Sequence, residues 1–222
     1  MGNNHSVNRN HADTAADTAA VTDSGTSASG SRDRHDAHDR AAQSGGPGPA
    51  GRRELGPING AITAIGARVT RRKTLGVFAT LGRAKRLFRG WLLYSAMMMP
   101  FGYLGRQESE AIILRVAFRR DSAYEADQHR DLAAKSGVDP ETIEAMFRDD
   151  HGQTGRLGIL LDATDELIAT KKLRDSTWEQ LRGILSARDQ VAFVILVTNY
   201  DGLATALDVL GVPVDERRDG SE

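Results

Sequence analysis

The sequence predicts an all-helical domain, a bundle of about seven to eight helices preceded by a disordered N-terminal tail. From residue 74 onward, apolar residues recur at spacings of three and four, which is the period of a helix that buries one face. No stretch shows convincing alternation of apolar and polar residues, so strands are not expected. Gly and Pro residues separate the periodic segments at intervals that fit short connections between helices.

The helical segments are predicted from this period and from residues that begin or end a helix. Pro100 ends the second segment. Asp139 caps the fifth, where Pro140 fits the first turn because its position needs no backbone donor. In the third, residues 111–118 are apolar nearly all round apart from Arg115, as expected of a central helix. The predicted segments are 74–81, 84–99, 107–120, 122–136, a short helix after Asp139, 157–170, 176–185 and 187–210.

Two of these segments open with the pattern Ser-x-x-Glu. Ser122 and Glu125 open the fourth segment, and Ser176 and Glu179 open the seventh. In a capping box of this kind, the serine hydroxyl and the glutamate carboxylate satisfy free backbone amides at the helix start. We therefore expect a capping box at both positions.

The two ends of the chain differ from the helical part, residues 74–214. Residues 1–54 are small, polar or charged with almost no large apolar side chain, so they are predicted to be disordered. Residues 55–73 show no clear period and become basic, which indicates an arm or linker. Residues 215–222 are predicted to be a polar C-terminal tail.

Composition excludes several function classes. The chain has no cysteine, so it has no disulfide, no zinc–thiolate site and no thiol nucleophile. The longest uncharged run, residues 90–105, contains Pro100 and is shorter than the roughly 20 apolar residues of a spanning helix. The N-terminus lacks the basic and apolar regions of a secretory signal. We therefore expect a cytoplasmic protein without a membrane partner.

Four polar residues between 110 and 129 are candidates for a functional site. Ser122, Glu125 and His129 are spaced by three and four, so a helix stacks them on one side, and Glu110 precedes them on the apolar third segment. Arg115 interrupts that apolar segment. A buried arginine needs a partner, so it is either paired with a carboxylate or placed to receive an anionic ligand.

The same residues also have simpler explanations. Ser122 and Glu125 fit a capping box, and Glu125 with His129 fits a surface pair worth a few tenths of a kcal/mol. A metal site at Glu110, Glu125 and His129 ranks below both, because the Glu-x-x-His spacing of di-iron bundles is absent. No metal site, phosphate-binding glycine loop or dinucleotide fingerprint is predicted.

The sequence resembles the carboxymuconolactone decarboxylase family, whose all-helical fold is shared with alkylhydroperoxidase D. The resemblance covers about residues 75–212. It is carried by short stretches of sequence: Leu87-Phe88-Arg89-Gly90-Trp91, Glu110 with Ile113-Leu114-Arg115-Val116-Ala117, Tyr124-Glu125 with His129, Ala133 with Gly137, and Leu167 with Ser176-Thr177-Trp178.

The resemblance implies the decarboxylase branch rather than the peroxidase branch. Glu110 and His129 match the ends of the peroxidase motif, but its two cysteine positions fall on Ser122 and Glu125. A serine hydroxyl cannot form the disulfide that the peroxidase cycle needs, so thiol peroxidase activity is not expected. The decarboxylase branch implies homo-oligomers, trimers or hexamers, with sites near subunit interfaces.

The leading hypothesis is cofactor-free decarboxylation of a small carboxylated lactone or related aromatic-catabolism intermediate. His129 donates the proton to carbon, since its pKa is nearest neutrality. Glu110 orients His129 and Glu125 tunes it. Arg115, Tyr124 and Ser122 are assigned to substrate binding, with Arg115 on the carboxylate.

Two further hypotheses stay open. The chain is alternatively a non-catalytic helical oligomer that binds a small acidic ligand. A weaker alternative starts from charge: residues 55–107 contain nine Lys or Arg and no acid, whereas residues 108–222 contain 14 basic and 23 acidic residues. In that hypothesis the protein binds an anionic surface through its basic segment, residues 52–89. No nucleic-acid partner is expected, because the basic cluster lacks the aromatic partners of a nucleic-acid face.

Overall fold

The structure, a computed structural model, describes residues 45–218. These residues form nine helices and no strand, so the predicted all-helical class is confirmed for this part of the chain. Disorder was predicted for residues 1–54, and residues 1–44 of that tail lie outside the described residues. In chain order the helices are α1 Arg52–Val69, α2 Gly76–Leu81, α3 Lys85–Ala96, α4 Arg106–Arg119, α5 Ala123–Lys135, α6 Pro140–Ala145, α7 Gly155–Thr170, α8 Asp175–Ile184 and α9 Ala187–Val209.

Helix α4 is the centre of the domain. Its residues 109–117 are all buried, and α5, α7 and α9 pack around it. The apolar run predicted for a central helix therefore lies where expected. Around it, the largest apolar cluster joins α4 to α7, α8 and α9. A second cluster joins it to α5 and α6.

Helix α1 occupies most of the segment 55–73 that was predicted to be a basic arm or linker, and it begins within the predicted tail. Gly56 breaks its regular geometry at φ 72°, a left-handed conformation that glycine adopts at low cost, just before Pro57. Leu55 and Ala67 are buried, and α1 packs against α2. Gly56 and Pro57 are poor helix formers, so they hid the start of the helix from the sequence pattern.

The two predicted capping boxes are both wrong. Ser122 precedes α5, but its side chain makes no capping hydrogen bond, and Glu125 turns into the protein interior instead. Helix α8 starts one residue before Ser176, with Arg174 as its N-cap residue. By contrast, the predicted cap at Asp139 is confirmed, since its carboxylate accepts the Thr142 N–H at 2.9 Å.

The end of the chain folds back across the domain rather than forming a free polar tail. Arg72 and Arg217 form an isolated antiparallel bridge, and Lys73 N–H donates to the Glu216 carbonyl at 2.9 Å. Asp215 is buried beneath this bridge. The prediction of a tail at 215–222 is therefore wrong for residues 215–218.

Helix α9 is, among the described residues, the one helix long and apolar enough to cross a membrane by length and composition. A core helix passes the same test. Several of its side chains lie in the domain core, namely Phe193, Leu196, Val197, Tyr200, Ala204 and Leu207.

Candidate active site

A cavity of about 350 Å³ lies between α2, α3, α5 and α9, and the first turn of α4 reaches it. Its wall is largely apolar, and a small group of polar side chains interrupts it. This is the usual construction of a small-molecule site. The aromatic wall residues are Phe78, Trp91, Tyr124 and Tyr200, and the polar ones are Thr70, Ser95, Arg106, Glu125, Gln128, His129 and Asn199.

His129 and Glu110 form a buried pair at this cavity. His129 Nδ1 lies 2.7 Å from Glu110 Oε2, and the Glu110 side chain is fully buried. An ionised carboxylate only accepts hydrogen bonds, so Nδ1 is the donor, and in the neutral ring Nε2 is left as the acceptor. The Tyr200 ring meets the imidazole edge to face, with ring centroids 5.2 Å apart. The pair therefore holds the imidazole in one orientation.

Arg106 completes this arrangement from the other side. Its Nε and Nη2 atoms lie 3.1 and 3.0 Å from Glu110 Oε1. A buried carboxylate needs such partners to offset its lost hydration. Because Arg106 also lines the cavity, it is the cation at the site. The sequence analysis missed it, although the four-residue spacing to Glu110 is the spacing of a helical ion pair.

Glu125 is the least satisfied polar group at the cavity. It is 2% exposed, and neither carboxyl oxygen has a hydrogen-bond partner. Burial raises the pKa of Glu125 to about 8, and the negative charge of Asp201 adds to the rise. The nearby side chain of Ser122 offsets part of the rise. At neutral pH Glu125 is therefore a carboxylic acid with a proton to donate.

Tyr124 contributes its ring rather than its hydroxyl. The hydroxyl donates to Asp215 Oδ2 at 2.6 Å and accepts from the Val77 N–H at 3.1 Å. Burial and the nearby Asp215 charge raise the pKa of Tyr124 well above its ordinary value. The predicted role in substrate binding is thus reduced to apolar contact.

Asp215 fixes part of the cavity wall. Besides the Tyr124 hydroxyl, its carboxylate accepts the Gln128 amide at 3.0 Å and the Gly76 N–H at 2.7 Å. Burial raises the pKa of Asp215, and the hydrogen bond from Tyr124 offsets part of the rise. The folded-back C-terminal segment therefore holds two wall residues in place.

Arg115 is not part of this site, which corrects its predicted role on the substrate carboxylate. It is fully buried, and all five guanidinium N–H groups are used. Two donate to Asp165, at 2.7 and 2.5 Å, and three donate to backbone carbonyls of residues 146, 148 and 149. Burial alone would raise the pKa of Asp165, but hydrogen bonds from Arg119 and Arg115 outweigh it and hold the pKa low. Of the two alternatives from sequence, pairing with a carboxylate is confirmed.

Ser122 also lies outside the cavity that contains His129. It lines a separate, smaller surface pocket with Arg120 and Asp208. Of Ser122, Glu125 and His129, which were expected to stack, only Glu125 and His129 line the same cavity, although the Ser122 side chain approaches Glu125. Ser122 precedes the first turn of α5 and so leaves the helical register.

No group of three His, Asp or Glu side chains within residues 45–218 is placed to hold a metal ion. Glu110, Glu125 and His129 are near one another, but Glu110 is bonded to both Arg106 and His129. An oriented imidazole and a neutral carboxyl lie one turn apart on α5 and share a cavity, an arrangement that is chemically able to transfer protons.

No protein-family model matches the chain, and no curated protein matches it significantly.

Proposed function

We propose that this protein is a cofactor-free acid–base enzyme of the carboxymuconolactone decarboxylase type. Its substrate is a small carboxylated lactone or a related intermediate of aromatic breakdown. The observation that carries the proposal is Glu125, a buried carboxyl with two unpartnered oxygens and a pKa of about 8, one turn from the oriented His129. Groups whose environments separate their pKa values are typical of acid–base sites.

In the proposed reaction the bond between carbon and the substrate carboxylate breaks, and its electron pair moves into the conjugated carbonyl. Neutral Glu125 donates a hydrogen bond to the carbonyl oxygen, where negative charge develops. The imidazolium form of His129 delivers its Nε2 proton to the carbon that CO₂ leaves and becomes the neutral ring, while Nδ1–H keeps its hydrogen bond to Glu110. One proton is consumed for each CO₂ released, and solvent returns it to His129.

Arg106 takes the role that the sequence analysis gave to Arg115. Two of its nitrogens hold Glu110, and among residues 45–218 Nη1 has no hydrogen-bond partner. The side chain is 39% exposed and lines the cavity, so Nη1 is open to a substrate carboxylate.

The assembly and location follow the same proposal. We infer the alkylhydroperoxidase D-like fold, a homo-oligomer of three or six subunits with sites near the interfaces, and a cytoplasmic location. The aromatic wall fits an unsaturated, planar substrate, since Trp91, Phe78 and Tyr200 present ring surfaces to the cavity.

The proposal is tested by CO₂ release from a panel of carboxylated lactones and keto acids. His129→Gln should lower kcat by about 10²- to 10⁴-fold, the usual contribution of a positioned proton donor. His151→Gln is the matched control, because His151 is also buried and paired with a carboxylate, Asp162, but lies outside the cavity. Arg106→Gln should raise KM by about tenfold or more.

An equal loss in both histidine variants would indicate damage to the fold and contradict the assigned role. If the wild-type chain binds an aromatic acid tightly and turns over none of the panel, the alternative is correct. The protein would then be a non-catalytic helical oligomer that binds a small acidic ligand.

A further inference from the structure

Helix α3 and the loop after it carry an exposed apolar face, which we call the α3 face. Its members are 44% to 77% exposed, although large apolar side chains are usually covered in a domain of this size. Val191 and Ile195 of α9 extend the face along a groove of about 400 Å³. The members are Leu87, Leu93, Tyr94, Met97, Phe101 and Tyr103.

Basic side chains lie among these apolar ones. Lys85, Arg86 and Arg89 are exposed on the same helix, and none of them takes part in an ion pair within residues 45–218. No acidic residue occurs anywhere from 55 to 107. The α3 face therefore combines exposed apolar area with positive charge that nothing in its own segment neutralises.

The helical period of α3 explains why both the apolar and the basic side chains are exposed to solvent. Phe88 is buried and Trp91 is half-buried, so they mark the face that packs on the domain. Leu87, Leu93 and Tyr94 lie away from Phe88 around the helix, next to Arg86 and Arg89. A helix that packs on one side would normally present only polar residues on the other.

We propose that the α3 face docks the protein onto the surface of an anionic lipid membrane. Large apolar and aromatic side chains beside Lys and Arg are the composition of helices that lie in a membrane interface. The apolar groups enter the acyl boundary while the cations contact the headgroups, each contributing about fivefold to affinity. This replaces the expectation that the protein has no membrane partner.

A second copy of the chain fits the same face less well. In a twofold dimer the same patch meets itself, so Arg86 and Arg89 would face their own counterparts. Like charges brought together across an interface oppose association. An anionic surface accommodates both the charge and the apolar area.

The α3 face also borders the cavity. Trp91 and Ser95 of α3, with Met99 and Pro100 of the following loop, line the cavity from the inside. When the protein is docked on the membrane, this side of the cavity therefore lies close to the lipid surface. The docking itself does not depend on the proposed decarboxylase activity.

The test is sedimentation of the full chain with vesicles of two compositions. With vesicles of equal parts phosphatidylcholine and phosphatidylglycerol, the protein should co-sediment, and added salt should release it. With phosphatidylcholine alone it should stay in solution. Arg86→Gln with Arg89→Gln should lower affinity about fivefold for each charge removed. Leu93→Ser with Phe101→Ser should lower it more than tenfold, because two buried apolar groups are lost.

Val209→Ser is the matched control, since Val209 is 65% exposed on α9 within the acidic part of the chain, and this variant should bind as wild type does. Equal binding to both vesicle types, or no effect of either double variant, would overturn the proposal. It would also be overturned if the chain ignores vesicles and Leu93→Ser with Phe101→Ser reduces its assembly size in sedimentation velocity, since the face would then join copies. Tighter binding to duplex DNA than to anionic vesicles would count equally against it.

Discussion

His129 Nδ1 and Glu110 Oε2 are 2.7 Å apart, although 19 residues and a change of helix separate them in the chain. Glu110 comes from the central helix α4 and His129 from α5, so the contact depends on how the two helices pack. Since Arg106 holds the other Glu110 oxygen, the carboxylate cannot turn away from the imidazole. The imidazole therefore presents Nε2 rather than Nδ1 to any reaction.

Glu110→Gln should lower kcat by about 10²-fold or more with little change in KM. Glutamine has no negative charge to stabilise the imidazolium that donates the proton, and its amide can donate to Nδ1 in place of accepting from it, so the orienting Nδ1–H bond is lost. Glu166→Gln is the control, because the Glu166 side chain is only 10% exposed and is bonded to Arg174 and Thr177 away from the cavity. A loss of the same size in both variants would contradict the role of Glu110 in orienting His129.

Arg115→Met should lower the free energy of unfolding by about 3–5 kcal/mol, because the carbonyls of residues 146 and 148 lose their guanidinium donor and Asp165 keeps only its bonds to Arg119. The exposed pair of Arg120 with Asp201 provides the comparison, and Arg120→Met should cost about 0–1 kcal/mol. Urea unfolding measures both. If Arg115→Met instead keeps its stability and raises KM, Arg115 binds the substrate as the sequence analysis predicted.

Asp215→Ala should destabilise the protein by about 3 kcal/mol, since the Tyr124 hydroxyl, the Gln128 amide and the Gly76 N–H lose one shared acceptor. The next residue is a natural control: Glu216 is exposed and pairs with Lys73, so Glu216→Ala should cost about 1 kcal/mol or less. Thermal unfolding distinguishes them. Equal, small effects would show that the C-terminal segment does not fix the cavity wall.

Glu125 should make the stability of the protein depend on pH. Its pKa rises from 4.5 to about 8 on folding, so between these values the native state holds a proton that the unfolded chain has released. The contribution to stability is complete below about pH 4.5, falls as pH rises, and is lost above about pH 8. Because one pKa unit corresponds to about 1.4 kcal/mol, the change amounts to several kcal/mol.

Urea unfolding from pH 5 to pH 9 should therefore show wild type losing stability relative to Glu125→Gln as the pH rises. The glutamine variant keeps the shape of the neutral carboxyl but cannot ionise. Parallel curves for the two proteins would mean that Glu125 is already ionised at pH 5.

Local signals were sufficient to predict eight of the nine helices within residues 45–218, including the cap at Asp139. They also predicted that Glu110, Glu125 and His129 form one cluster. Each of these predictions depends only on residue spacing within one segment or between two segments that are adjacent in sequence. Helix α1 was missed because Gly56 and Pro57, both poor helix formers, lie near its start.

Contacts between distant segments could not be predicted. Asp215 meets Tyr124 across 91 residues and Gly76 across 139, and nothing near Asp215 in the sequence indicates burial. Tyr200 reaches His129 only through the packing of α9. The spacing of Ser122 and Glu125 fits a helix cap. The Glu125 side chain is instead buried in the interior and does not bond to the local backbone.

The central claim is that the cavity holds a neutral carboxyl group at physiological pH, and the titration of Glu125 tests it most directly. Carbon-13 NMR of protein labelled at the glutamate side-chain carboxyls follows each group with pH. The account predicts one resonance that titrates at about pH 8 and that is absent in Glu125→Gln. If every glutamate in the wild-type protein titrates near the ordinary value of about 4.3 or below, the claim is contradicted.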